Sequence, residues 1–152
     1  MRRNDKEITD RDVIDSIING STFCRLALSE ENQPYIVPLS FGYDGNALYF
    51  HSFPEGKKIG ILRKNSNVCF EFDSDGEPIP SDGACSWTVR YKSVIGYGKA
   101  RLIEDIDSKI KALEIIMSHY SEQSFVYPEK VVKKIVVIKV DIETVTGKMS
   151  GY

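Results

Sequence analysis

Histidine and tryptophan are scarce in this chain: two of the first and one of the second among 152 residues. Two histidines cannot build a three-histidine metal centre. The three cysteines, Cys24, Cys69 and Cys85, are an odd set without a C-x-x-C pair. That spacing fits free buried thiols in a reducing compartment better than a disulfide framework or a zinc site. No apolar run approaches the ~18 residues that a membrane-spanning helix needs. The polar start, Met1 to Lys6, leads into no apolar stretch, so a secretory signal is not expected and a cytoplasmic location is. The net charge is only -2, so no broad basic field invites nucleic acid. G-x-S-x-G, H-E-x-x-H and the P-loop pattern do not occur. Gly96-x-Gly98 meets Arg101 where a dinucleotide fingerprint needs its third glycine, so no Rossmann site is indicated.

What is present suits an ordinary folded protein: 41% hydrophobic and 28% charged residues, with no repeat and no low-complexity tract. The length suits one domain over residues 1–152. Thr9-Asp10-Arg11-Asp12 reads as a helix start, followed by Val13, Ile14, Ile17 and Ile18 at helical spacing and Gly20 as a stop; the helix covers about residues 10–19. Strands are predicted over 22–29, 35–41 and 47–51, joined by the polar turn 30–33 and by Asp44-Gly45, and such short links imply antiparallel neighbours. A short helix is expected over 57–64 and a fourth strand over 68–73. Residues 74–84, rich in Ser, Asp, Gly and Pro, read as a mobile loop. The β-rich stretch 86–103 should be bent or split at Gly96 and Gly98. A helix over 107–120 sets Ile110, Leu113, Ile116 and Met117 on one side, a loop covers 121–130, and 135–145 alternates as a last strand. Six or seven strands and three helices without β-α-β alternation point to a mainly β fold, an antiparallel barrel or sandwich with flanking helices.

The most informative stretch is Tyr49-Phe50-His51-Ser52-Phe53-Pro54-Glu55-Gly56-Lys57-Lys58. A strand ends in His-Ser, a tight loop follows, and a helix opens on two lysines. Helix starts favour negative charge, so lysines there cost a few tenths of a kcal/mol, ~0.3 or more each, unless an anion is present. The segment therefore reads as a phosphate site, with a hydroxyl from Ser52, close approach at Gly56 and charge from Lys57 and Lys58. The alternative is a turn with solvated lysines. His51 is either an acid, base or ligand contact beside that site or a satisfied structural histidine. His119, at the end of a helix, suits a structural role. Pro38, unable to donate to a ladder, belongs on a sheet edge or beside a ligand. Trp87, Tyr91 and Ser93 could stack on a flat ring and hydrogen-bond its rim, or simply pack in a long strand.

As an ordered set, the motifs resemble the pyridoxamine 5'-phosphate oxidase-like FMN-binding proteins, and most nearly the 5-nitroimidazole-resistance (Nim-type) branch. The set is Cys24-Arg25-Leu26-Ala27, Pro34 to Tyr43, Leu48-Tyr49-Phe50-His51-Ser52, Glu55-Gly56-Lys57-Lys58, Asn67 to Glu71 and Ser93-Val94-Ile95-Gly96-x-Gly98. Met1-Arg2-Arg3 followed by Glu7-Ile8-Thr9-Asp10 resembles that branch's start. The resemblance implies a split antiparallel β-barrel that forms a homodimer with FMN between the subunits. It implies that Val37, Pro38, Leu39 and Ser40 run along the isoalloxazine ring, with backbone N–H groups of the 36–41 strand tuning it. His51 and Ser52 then lie near flavin and phosphate, Gly56, Lys57 and Lys58 at the phosphate, and Trp87, Tyr91 and Ser93 complete the pocket. His51 is the candidate catalytic group. The implied activity is FMN-dependent reduction of a small acceptor such as a nitroaromatic, with electrons from a reduced nicotinamide or another donor. A flavin- or heme-binding module without turnover is the alternative. Residues 146–152 lack the arginine-containing segment by which true oxidases recognise pyridoxal phosphate, so vitamin B6 oxidation is not expected. Lysine stands at 57 where the family usually has arginine, keeping the charge without the bidentate geometry. No metal, membrane or nucleic acid is implied.

Overall fold

The computed structural model describes residues 4–152; Met1 to Arg3, part of the resemblance at the start of the chain, lie outside the described residues. Helix α1, Arg11–Gly20, opens on Asp10, whose carboxylate accepts from the Asp12 N–H at 2.9 Å, and buries Ile14, Ile17 and Ile18. Two strands follow, β2 (Cys24–Glu30) and β3 (Gln33–Leu39), joined by Glu31 and Asn32, both with positive φ. That left-handed pair is the turn whose twist suits a two-residue hairpin. Next come β4 (Gly42–Tyr43) and β5 (Ala47–Ser52), linked through Asp44, whose carboxylate accepts from the N–H groups of Asn46 and Ala47. Helix α2, Lys57–Lys64, leads to β6 (Asn67–Ile79) and β7 (Thr88–Ile103). Helix α3 (Ile106–Tyr120), a single turn α4 (Glu129–Val132) and β8 (Val136–Ser150) complete the chain; the two-residue β1 (Glu7–Ile8) pairs with the end of β8.

Among the described residues the strands form one eight-stranded sheet, antiparallel throughout, with seven in the order β3-β2-β6-β7-β8-β5-β4 and β1 beside β8 off this path. Its concave side closes on Phe41, Phe50, Phe70 and Phe72, all fully buried, together with the apolar face of α1 and Ile59, Ile61 and Leu62 of α2. A second core, Ala47, Tyr49, Ile103, Val137, Ala112 and Ile116, lies between the sheet and α3. No described helix is long and apolar enough to cross a membrane. The three cysteines are free.

Three expectations need correction. The 35–41 and 47–51 strands are not neighbours: β3 is a sheet edge bonded only to β2, whereas β5 pairs with β4 and β8. The turn at Asp44-Gly45 closes a hairpin between β5 and the two-residue β4 instead, because Phe41 leaves β3 to enter the core. Residues 74–79 are strand, not loop. Beyond a register shift at Ser74/Glu77, Glu77, Pro78 and Ile79 pair with Arg90, Val89 and Thr88, and Arg90 binds Glu77 at 2.7 Å. The long partner strand imposes order that local composition does not signal. β7 runs unsplit through Gly96 and Gly98, one of the two outcomes expected there, with a register shift against β8 at Tyr97/Gly98. A Cβ on Gly96 would stand 2.1 Å from Phe70 Cζ, and one on Gly98 2.3 Å from the Asp141 carbonyl oxygen, so both positions admit neighbours from other strands. Finally, α3 buries Lys109, Ala112 and Ile116; of the expected Ile110, Leu113, Ile116 and Met117 side only Ile116 is buried, and Leu113 packs half-buried against the second core. Gly42 admits the α3 backbone at Ile115 and Ile116, where an added Cβ would stand 2.6–2.7 Å away.

Candidate functional site: a lysine-led helix start beside an edge strand

His51 and Ser52 close β5 opposite Val137 and Val136 of β8; His51 is exposed and Ser52 half-buried. The chain then turns through residues 53–56, where the Arg63 guanidinium donates to the Pro54 carbonyl at 3.4 Å. Gly56 has φ 110°, a conformation costly for any residue with a Cβ, and the space where a Cβ would project is open. As the cap of α2 it supplies no side-chain acceptor, so the first-turn N–H groups have no capping side chain. No acidic residue occupies this turn; Lys57 and Lys58 do.

The two lysines are held differently. Lys57 is exposed, and its ammonium lies over the Tyr35 ring of β3, 4.8 Å from the centroid. Lys58 is half-buried, and burial alone pushes its pKa below the ordinary lysine value, with no opposite charge compensating among the described residues. A half-buried cation without a counter-charge among the described residues, beside uncapped N–H groups, is chemically fitted to a dianionic phosphate. Gly56, Ser52 and the lysines therefore fit the phosphate end of FMN.

The strand beside them presents an unusual edge. Glu30 and Gln33 flank the two-residue turn and so form a hydrogen-bonded pair, after which bonded and non-bonded pairs alternate. Tyr35, Val37 and Leu39 thus spend their backbone groups on β2, while Pro34, Ile36 and Pro38 turn theirs to the free edge. The prolines have no N–H, so this edge of β3 offers three carbonyls and a single N–H, that of Ile36. Of the 36–41 stretch expected to tune a ring, β3 itself leaves the Ile36 N–H on this edge. The Phe41 N–H is also engaged, donating to the Tyr120 hydroxyl at 3.0 Å. Pro38 does lie on an edge, and the side chains of Pro38 and Ser40 are exposed while those of Val37 and Leu39 are half-buried.

Trp87, Tyr91 and Ser93 are not brought to this cluster by the sheet. Tyr91 pairs with Ser150 at the last residue of β8, whereas Ser52 pairs with Val136 at its first. Trp87 is 56% exposed, its indole N–H donating to the Ser81 carbonyl at 2.7 Å. His119 is structural: its ring packs tilted against Phe41, centroids 4.2 Å apart, and Nε2 donates to the Ser21 carbonyl at 2.8 Å. Tyr35, in contact with a site lysine, was not singled out in the sequence. Its only signal there is its place in Pro34-Tyr35-Ile36, and the contact joins segments more than twenty residues apart.

The profile of the pyridoxamine 5'-phosphate oxidase family matches residues 10–149. This chain belongs to that family. Among family structures it is similar to a candidate 5-nitroimidazole antibiotic resistance protein from Bacteroides thetaiotaomicron, 39% identical over 94% of this chain and 86% of that one, with a TM-score of 0.85. The fold is shared with the FAD and heme binding protein of Mycobacterium smegmatis, 18% identical over 97% of this chain and 74% of that one, TM-score 0.85. An uncharacterized Rhizobium meliloti protein is 34% identical over 64 residues, 42% of each chain, so the match spans less than half of that curated relative. The match to the pyridoxamine 5'-phosphate oxidase family covers every residue of the cluster from Tyr35 to Lys58.

Proposed function

We propose that this chain binds FMN and acts, as a homodimer, as an FMN-dependent oxidoreductase that reduces a small acceptor such as a nitroaromatic. A reduced nicotinamide or another donor supplies the electrons. The single observation that carries the reading is the uncapped, lysine-led start of α2, where half-buried Lys58 lacks a counter-charge. FMN would supply the two-electron redox chemistry. The protein's own residues position and tune. Lys57, Lys58 and Ser52 hold the phosphate. The carbonyl-rich edge of β3 suits a planar heterocycle that presents an N–H. Exposed His51 donates a proton or hydrogen bond to the acceptor.

The visible spectrum tests this first. Protein as purified should be yellow and release flavin on denaturation; a Soret band would favour the heme-binding alternative, and colourless protein that takes up no FMN would end the proposal. His51→Ala is expected to slow acceptor reduction about tenfold, the worth of one hydrogen bond of ~1.4 kcal/mol, with flavin still bound. Unchanged turnover would remove the role given to His51.

The dimer has its own support. By register, Ile36, Ala27, Cys69 and Tyr97 form a continuous row across β3, β2, β6 and β7 on the outer face. Ile36 and Tyr97 are 60% and 58% exposed, and Ile95 one row away 42%. An apolar row of this kind suits a second copy. It also explains how Trp87, Tyr91 and Ser93, remote from Ser52 along β8, could complete the pocket of the other subunit. Tyr97→Glu, which buries a charge in such an interface, should shift the sedimentation coefficient from dimer to monomer and reduce FMN retention. A dimer that persists with FMN bound would place the interface elsewhere.

A further inference from the structure

Lys57 is the site residue least constrained by its own surroundings. It is exposed, it has a long flexible stem, and it stands at the end of a helix whose dipole repels a cation. Left alone, its ammonium would swing away from the helix start. Instead the charge sits 4.8 Å from the centroid of the Tyr35 ring, well inside the ~6 Å range of a cation–π contact. Tyr35 in turn is half-buried in β3 and packs against the main core, so its ring is a fixed platform. An ammonium resting on a ring face still has N–H donors directed elsewhere. Lys58 needs no such platform, because packing already confines it.

Resting on the phosphate reading above, we infer that Tyr35 is a positioning residue: its ring holds the Lys57 ammonium at the start of α2, where it meets the phosphate of the flavin nucleotide. Tyr35 thereby ties the edge strand β3 to the phosphate-binding helix. The strand that lies along the ring system also sets where the charge for the phosphate stands.

The test separates phosphate recognition from ring recognition by titrating the full-length apoprotein with FMN and with riboflavin, which lacks the phosphate. Tyr35→Leu removes the ring face and keeps an apolar side chain; it should lower the ratio of FMN to riboflavin affinity about 2- to 5-fold, the size of an exposed to partly shielded cation–π contact. Tyr35→Phe keeps the face and should keep the ratio. In a Lys57→Ala background, Tyr35→Leu should change the ratio no further. A ratio unmoved by Tyr35→Leu but lowered by Lys57→Ala overturns the positioning role and leaves the phosphate site standing. The same is true of a fall that persists in the Lys57→Ala background. A ratio unmoved by loss of Lys57 and Lys58 together overturns the phosphate site itself. Proton NMR of the wild-type protein gives a readout independent of any variant's folding. The Lys57 methylene protons next to the ammonium should be shifted upfield by the ring current, and an unshifted signal overturns the inference.

Discussion

Replacing Lys57 and Lys58 together by alanine is expected to weaken FMN binding by about 100-fold or more and to leave riboflavin binding nearly unchanged. Each charge-assisted bond to the phosphate contributes ~1.5 kcal/mol at the low end, and two sum to ~3 kcal/mol, a factor of roughly 100. The free protein should not suffer: Lys58 is a half-buried cation whose charge burial disfavours, and Lys57 opposes the helix dipole. Thermal melting of the ligand-free variant should therefore match or exceed that of the wild type, while FMN no longer raises its Tm. The affinity should also depend on pH at both ends. A phosphate monoester gains a proton near pH ~6, so the FMN-to-riboflavin ratio should fall as pH drops through that range. On the alkaline side, burial lowers the Lys58 pKa, so its charge is lost at a lower pH than that of an exposed lysine, and the ratio should fall there too. A variant that binds FMN as tightly as the wild type would leave the lysines as solvated surface residues and place the cofactor, if any, elsewhere.

Gly42→Ala is expected to destabilise the fold by about 3 kcal/mol, the upper end of the usual cost of overpacking. An added Cβ would stand 2.6 Å from the Ile116 backbone nitrogen and 2.7 Å from two further backbone atoms of α3. Backbone cannot turn aside as a side chain can, so α3 must lift from the sheet. That opens the core formed by Ala47, Tyr49, Ala112, Ile116 and Val137. The Tm should fall by ~6–12 °C, taking ~2–4 °C per kcal/mol for a chain of this size. Gly60→Ala is the matched control. It lies in the middle of α2 with nothing within 4 Å of a new Cβ, so it should stabilise by up to ~1 kcal/mol through helix propensity. If both variants melted like the wild type, the close seating of α3 on β4 would be wrong.

Much of the framework was readable from local signals. Asp10 before an apolar stripe marked α1 within a residue at each end, and the bounds expected for α2 match Lys57–Lys64. The turn at 30–33 closes the β2–β3 hairpin as expected, since alternation and turn residues act over a few positions. Pro38 stands on an edge, as a residue without an N–H must. The reversed charge at the start of α2 was legible too, because a helix start prefers the opposite sign whatever surrounds it.

Other features belong to contacts between distant segments. Residues 74–79 carry turn-forming composition yet extend β6, because β7 offers a paired strand and Arg90 an ion partner for Glu77. The close seating of α3 depends on a glycine some seventy positions earlier, and β3 and β5, close in sequence, lie in different parts of the sheet. Which lysine is shielded and which rests on a ring likewise depends on β3 meeting α2. Periodicity, capping and charge preference are set by neighbours along the chain, and so residue order alone determined the elements and the anion-seeking helix start. Strand partners, helix faces and the hold of Tyr35 on Lys57 are set by what remote segments offer one another, and only the folded chain decided them.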